Sequence, residues 1–216
     1  TARSLSYYDA LNRKIADVSP TGTLTSYTYN DGGDLLSMTV YSTTVALPDP
    51  VGATPPTVTD DASARTTLYG YDRDGRQIST TIKSIEIGEI NSTTGNYEVR
   101  VQDLVTGKTY DANGNVTSET DARGNTIWTF YDKVGNRIAV VDAERYLTTY
   151  TYDGASHVRT EVRYATRLPE SKVVTASTDW ESLKAIVLSG ESRTRSFLYD
   201  RMGRLQQQTV AAVETA

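Results

Sequence analysis

The 216-residue chain carries 22 Lys and Arg against 27 Asp and Glu, and this acidic balance argues against the clustered basic surface of a nucleic-acid-binding protein. It contains no cysteine, which excludes disulfides and thiolate metal sites, and no apolar run approaches the roughly 20 residues of a membrane-spanning helix. Tyr provides 15 of the aromatic residues against two Phe and two Trp, a composition that favours thin, half-buried β-sheets over a thick aliphatic core.

A Tyr-Asp motif recurs in seven copies along the chain. The copies begin at Tyr8-Asp9, Tyr29-Asn30, Tyr71-Asp72, Tyr110-Asp111, Tyr131-Asp132, Tyr152-Asp153 and Tyr199-Asp200. Three of the intervals between them are 21 residues long, and the interval from Tyr29 to Tyr71 is twice that length. The fourth residue after the Tyr is glycine in five copies (Gly33, Gly75, Gly114, Gly135 and Gly203), and Asn12 and Ser156 stand in the other two.

Each copy predicts a β-strand, a tight turn and a second strand. The Asp can accept hydrogen bonds from the turn backbone, and the Gly supplies a residue with positive φ. A second turn half a repeat away, at Gly22 and Gly124, leaves two strands of about six residues per repeat. Aromatic residues two positions before the motif Tyr predict a ladder of rings on one face of the sheet; they are Tyr27, Tyr69, Tyr150 and Phe197.

Three insertions lengthen the basic spacing, near residues 43–65, 84–104 and 166–192. The first contains the Pro-rich stretch 47–56, which predicts a loop, and then Asp60-Asp61, which we expect to be solvated. The second predicts an extended hairpin around residues 91–96.

The third insertion contains a helix signal. Thr178 and Glu181 have the spacing of a capping box, and Gly190 is placed to end the helix. We therefore expect one short helix near residues 178–189, in a loop that lies against the sheet. Trp128 and Phe130 fall out of phase with Tyr131, and the repeat pattern does not account for them.

Residues 71–76, 110–115, 131–136 and 199–205 closely resemble the YD repeats of Rhs proteins, and the resemblance runs from Tyr8 to Leu205. That family includes the B and C components of bacterial Tc insecticidal toxins, Rhs effectors of type VI secretion and teneurins. The resemblance implies stacked hairpins in a long sheet that spirals into a hollow shell, which in the toxin members encloses a C-terminal toxic polypeptide. The family's self-cleavage motif, Asp-Pro-x-Gly-Leu, has only a partial likeness in Asp49-Pro50-Val51-Gly52, which is more typical of a Pro-rich turn.

No residue receives a catalytic role, and no cofactor or metal ion is expected. His157, the only histidine, occupies a polar position of the repeat where Arg13 and Arg204 stand in other copies, which favours a turn residue over a general base. A calcium site at residues 111–115 would lack a downstream bidentate Glu, and its Asp and Asn residues recur for reasons of turn geometry.

The sequence therefore predicts an all-β chain of stacked antiparallel hairpins, a partial shell that forms a single repeat domain over residues 1–216. Pairing the copies gives intervals of 42, 39, 42 and 47 residues, so that a β-propeller of four-stranded blades is the alternative fold.

We expect a non-enzymatic structural segment of a larger bacterial secreted or surface protein that helps to enclose a toxin or effector polypeptide. The alternative is an adhesion or carbohydrate-binding module. The expected partners are further repeats of the parent protein, partner chains and the enclosed polypeptide, with no nucleic acid and no membrane-spanning segment. The start at Thr1 rather than Met indicates a processed product or a piece of a longer chain.

Overall fold

The computed structural model describes residues 3–48 and 52–211, so the Asp49-Pro50 turn lies outside the described residues. Across these ranges the chain forms strands β1 (Leu5–Tyr8), β2 (Lys14–Val18), β3 (Thr23–Tyr29), β4 (Leu35–Thr44), β5 (Arg65–Tyr71), β6 (Gln77–Ile90), β7 (Tyr97–Tyr110), β8 (Val116–Thr120), β9 (Thr126–Tyr131), β10 (Arg137–Val141), β11 (Tyr146–Tyr152), β12 (Val158–Arg167), β13 (Ser192–Tyr199) and β14 (Leu205–Val210), and helix α1 (Trp180–Val187). The strands hydrogen-bond in chain order in an antiparallel sheet.

This topology confirms the all-β hairpin fold and shows that the propeller alternative is wrong, because blades would divide the strands into separate four-stranded sheets. Residues 84–90 and 97–104 lie in β6 and β7, two strands of 14 residues each that form an extended hairpin. Its turn is closed by Asn91, whose backbone N–H donates to the carbonyl of Asn96 (2.8 Å).

The chain divides into two compact units, Thr1–Thr106 and Gly107–Ala216, and each has its own hydrophobic core. The core of the first unit consists of Tyr7, Ala16, Val18 and Leu24, with Tyr41, Val45, Leu47 and Val58 among the residues packed against it. The core of the second unit consists of Phe130, Ala139, Val141 and Leu147 together with Tyr164, Leu168, Val174, Leu183 and Val187.

The two cores occupy equivalent positions of a long-range duplication. Adding 123 to a residue number in the first block (residues 5–48) gives its counterpart in the second block (residues 128–171). After this shift β2, β3 and β4 have the same bounds as β10, β11 and β12. The strand registers agree as well, since the pairs Tyr7–Ala16 and Val18–Leu24 correspond to Phe130–Ala139 and Val141–Leu147.

The duplication explains the two aromatic residues that the repeat left unexplained. Strand alternation places Trp128 and Phe130 on the face opposite Tyr131. Phe130 is buried in the second core, and Trp128 packs against it. Their counterparts in the first block, Leu5 and Tyr7, have the same places in the first core.

In each block the segment after the last strand packs against the core. The segment after β4 contributes Val45, Leu47 and Val58. The segment after β12 contributes α1, whose Leu183 and Val187 are fully buried. The helix begins one residue later than the capping box predicted, because Asp179 rather than Thr178 is the N-cap and accepts from the N–H of Glu181 (3.2 Å). Thr178 Oγ1 instead accepts from the N–H of Thr175 (2.8 Å).

Hydrogen bonds of polar side chains connect both inserted segments to their blocks. Asp61 is not merely solvated, as the sequence suggested: its carboxylate accepts from Ser42 Oγ (2.6 Å) and from the N–H groups of Ser42 (2.7 Å) and Thr43 (2.8 Å). These bonds, led by the one from the Ser42 hydroxyl, lower the pKa of Asp61 to about 2. In the second block Arg145, with φ of 72°, donates from its guanidinium to the carbonyls of Pro169 (2.8 Å) and Lys172 (2.6 Å).

Candidate functional site

The repeated Tyr-Asp corner is the candidate site, and the Asp builds its turn. In the copy at Asp132, Oδ1 accepts from the N–H groups of Val134 (3.0 Å) and Asn136 (2.8 Å). The backbone closes the same turn, because Gly135 N–H donates to the Asp132 carbonyl (3.2 Å) and Gly135 has φ of 90°. Equivalent side-chain bonds form at Asp9, Asp72, Asp111, Asp153 and Asp200.

The second Asp oxygen binds the side chain four residues later. Asp Oδ2 accepts from Arg13 Nε (2.7 Å), Arg76 Nε (2.7 Å), Asn115 Nδ2 (2.8 Å), Asn136 Nδ2 (2.9 Å) and Arg204 Nε (2.8 Å), each from its own copy. The copy without Asp reverses the roles, since Asn30 Nδ2 donates to Asp34 Oδ2 (2.9 Å). Both oxygens of the motif Asp are therefore used inside the turn.

These bonds hold the pKa of the motif aspartates below the ordinary value. The backbone N–H four residues later is the largest cause at Asp9, Asp72, Asp153 and Asp200. At Asp111 the largest cause is the side chain of Asn115. The aspartates consequently remain acceptors at neutral pH, which suits a turn and does not suit a proton donor.

In four copies the hydroxyl of the motif Tyr hydrogen-bonds to the corner before it. The hydroxyl of Tyr29 donates to the carbonyl of Lys14 (2.8 Å), which is the sixth residue after Tyr8. The same bond connects Tyr71 to Leu35 (3.0 Å), Tyr131 to Val116 (3.0 Å) and Tyr152 to Arg137 (2.7 Å). In each case the acceptor is the sixth residue after the preceding motif Tyr, even where an insertion separates the two copies. Burial raises the pKa of Tyr71, Tyr131 and Tyr152, so these hydroxyls remain protonated donors.

Rings and cations add a second link between neighbouring corners. The guanidinium of Arg13 lies 5.0 Å from the ring centroid of Tyr29, the motif Tyr of the next copy. The guanidinium of Arg137 lies 4.7 Å from the ring centroid of Tyr150, two residues before Tyr152. Such contacts stabilise by about 0.5–1 kcal/mol at exposed sites.

His157 has the same place as Arg13. Its Nδ1 lies 3.0 Å from Asp153 Oδ2, and its ring stacks on Tyr199 of the next copy at a centroid distance of 4.7 Å. The imidazole therefore connects two repeats, as the repeat position of His157 suggests.

Residues 111–115 do not have the geometry of a calcium site. Asp111 Oδ1 accepts from the N–H groups of Asn113 (2.9 Å) and Asn115 (2.8 Å), and Oδ2 faces the amide nitrogen of Asn115. Donor groups thus occupy the positions where a cation would need oxygens. Among residues 3–48 and 52–211, no group of three or more His, Asp or Glu could hold a metal ion.

The sequence indicated the residues of the turn and missed the links between turns. The signal for the hydroxyl bond was present as a fixed spacing, because the acceptor lies 15 residues before the Tyr wherever the period is 21. The acceptor is a backbone carbonyl, however. Every residue has one, so the amino-acid sequence does not indicate which residue accepts the bond.

The comparisons with known proteins place this geometry in context. Residues 99–130 match the family model described as RHS Repeat, and a search of curated proteins found no match. The chain is similar to crystal structures of TcdB2-TccC3-Cdc42 (15% identity, TM-score 0.48, covering 96% of this chain and 9% of that chain) and of TcdB2-TccC3 (12% identity, TM-score 0.36, covering 95% and 14%). The chain thus spans less than a sixth of the length of either structure. Residues 99–130 thus match the Rhs repeat, and the seven motif copies extend the resemblance to that repeat over the rest of the chain.

Proposed function

We propose that the chain is a non-catalytic wall segment, a single repeat domain, of a larger bacterial secreted or surface Rhs protein, and that the wall encloses a toxin or effector polypeptide. The observation that carries this proposal is the hydroxyl bond to the preceding corner from the motif Tyr of four copies, Tyr29, Tyr71, Tyr131 and Tyr152. It joins consecutive hairpins at one end of the sheet, so the repeat has the connections that a continuous wall requires.

The use of the polar groups supports a non-catalytic role. The motif aspartates are committed to their turns, and His157 lies between Asp153 and the ring of Tyr199. Catalytic acids and bases need a pKa near the working pH, whereas the pKa of these carboxyls lies on the acidic side of the ordinary value.

The outermost strands support the expected partners. Among the strands of residues 3–48 and 52–211, β1 is next to β2 alone and β14 is next to β13 alone. Every residue of β14 is exposed. Unpaired strand edges are ready to add further strands, which further repeats of the parent protein or a partner chain would supply. No helix in the described part of the chain has the length and apolar character required to cross a membrane.

Protease protection of the full-length parent protein tests the enclosure. We expect a polypeptide encoded in the same reading frame to resist proteinase K in the native protein and to be degraded once the protein is denatured. A variant with Phe in place of Tyr29, Tyr71, Tyr131 and Tyr152 should lose much of this protection, because four links between corners are absent. Equal rates of degradation in the native and denatured samples would refute enclosure.

A further inference from the structure

A cavity of about 320 Å³ lies on the second unit where β11, β12 and β13 are neighbours. It is lined by Tyr146, Arg163, Tyr164, Ala165, Glu191, Ser192 and Arg193. The size falls in the lower range of small-molecule sites, and the lining combines tyrosine side chains with two arginines, a glutamate and a serine.

Two arginines on neighbouring strands lie side by side in the lining of this cavity. Arg163 and Arg193 are directly opposite in the register of β12 and β13, a like-charge pair that destabilises a sheet. Arg163 has one long contact with a carboxylate, 3.4 Å from Nη2 to Asp142 Oδ2. The side chain of Arg193 forms no ion pair or hydrogen bond with the described residues. The pair therefore presents two guanidinium groups that a single carboxylate could bridge.

The other polar groups of the cavity complement a hydroxyl-rich ligand. The Tyr146 hydroxyl and the Glu191 carboxylate have no hydrogen-bond partner among the described residues. The hydroxyl can donate or accept, and the carboxylate accepts from ligand hydroxyl groups. The half-buried ring of Tyr146 also offers a flat apolar surface.

The duplication shows that this arrangement is not required by the fold. The counterpart of Arg163 in the first block is Val40, which pairs with Arg65 in the same register. The counterpart of Tyr146 is Thr23. The same backbone therefore forms without the arginine pair, and the charges of the second block are an addition to the shared structure.

We propose that this cavity binds an acidic monosaccharide, a uronic acid, whose carboxylate is held between Arg163 and Arg193 and whose hydroxyl groups contact Glu191 and Tyr146. This site goes beyond the structural role of the repeats and does not depend on whether the wall encloses a polypeptide.

Calorimetry or ligand-observed NMR with D-glucuronate tests the site, with methyl glucoside and inorganic phosphate as probes for the sugar ring alone and for a simple anion. We expect glucuronate to bind, and both other probes to bind at least about tenfold more weakly, because each lacks half of the complementary groups.

Two matched variants isolate the arginine pair. Arg163→Val copies Val40 of the first block and should weaken glucuronate binding by about tenfold or more. Arg159→Leu copies Leu36, removes the same charge from the same strand outside the cavity lining, and should leave binding within about twofold. Tyr146→Phe, which keeps the ring, provides a second variant if Arg163→Val unfolds. The proposal is overturned if phosphate binds as tightly as glucuronate, if glucuronate does not bind, or if Arg159→Leu weakens binding as much as Arg163→Val.

Discussion

At the scale of single residues, the motif Tyr links two corners through its hydroxyl group. Tyr29→Phe removes the hydroxyl that donates to the Lys14 carbonyl and keeps the ring over which Arg13 lies. We expect the free energy of unfolding to fall by about 1 kcal/mol, the usual net contribution of one such bond. Urea denaturation measures the change.

Tyr8→Phe is the matched control, because Tyr8 has the same motif position and its hydroxyl forms no hydrogen bond with the described residues. That variant should unfold within about 0.3 kcal/mol of the unmodified chain. Equal losses in Tyr8→Phe and Tyr29→Phe would show that the link between corners contributes nothing.

The motif aspartates, Asp61 and Asp121 determine how the chain responds to acid. Their pKa is lower in the folded chain than in the unfolded chain, where it is about 3.9. Their contribution is therefore fully present above about pH 4 and is lost as the pH falls through the folded pKa, which for Asp61 is about 2. We expect the melting temperature to drop steeply between pH 4 and pH 2, as followed by circular dichroism.

Asp121→Asn tests the origin of this acid sensitivity. The Asn keeps an oxygen that can accept from the N–H groups of Arg123 and Asn125, and it loses the ionisable group. The variant should be less stable at pH 7, and its melting temperature should fall less between pH 4 and pH 2. An unchanged acid slope would mean that other carboxyls dominate.

At the scale of elements, the turn favours glycine at the one position where the backbone has positive φ. Gly114 has φ of 86°, and no atom lies within 4 Å of where an added Cβ would be, so Gly114→Ala tests backbone conformation without a clash. We expect a loss of about 1–2 kcal/mol in the free energy of unfolding.

Gly154 is the control within the same type of turn. Its φ is not positive and its surroundings are also open, while Ala112 occupies its place in the copy at Tyr110. Gly154→Ala should be neutral or stabilise by about 0.4–1 kcal/mol, since Ala restricts the unfolded chain. A loss equal to that of Gly114→Ala would contradict the assigned turn geometry.

Much of each element could be predicted from the sequence, because turn residues and strand alternation are local. The hairpin at residues 91–96 and the short helix follow from spacing and composition. The contacts of Asp61 and the burial of Phe130 could not be predicted, since both depend on where an insertion returns to the sheet. The helix start differed by one residue because Thr178 and Asp179 are both good caps, and only the path of the preceding chain decides between them.

At the scale of the whole molecule, the same substitution can be made at equivalent positions of the two cores. Leu24 and Leu147 are equivalent, and both are almost completely buried. Either Leu→Ala change should cost about 2–5 kcal/mol. Because each element of a repeat protein contacts mainly its sheet neighbours, the damage should remain in the unit that carries the change.

Amide hydrogen exchange, measured residue by residue, tests that expectation. Leu24→Ala should lower the protection of amides in β2 and β3 and leave β10 and β11 as they are, and Leu147→Ala should do the reverse. Equal loss of protection in both blocks after either substitution would indicate one cooperative unit over the entire chain.

The identical register of the two blocks has a consequence for how such a gene can change. A recombination event between codons 123 positions apart would insert or delete a module that begins with β1 and ends with β8, which is eight strands. Strand direction alternates in an antiparallel sheet, so adding or removing an even number of strands leaves the direction of the strand after the junction unchanged. That strand would also pair with its neighbour in the same register as before. The parent gene can therefore grow or shrink by whole modules while every remaining hairpin keeps its partners.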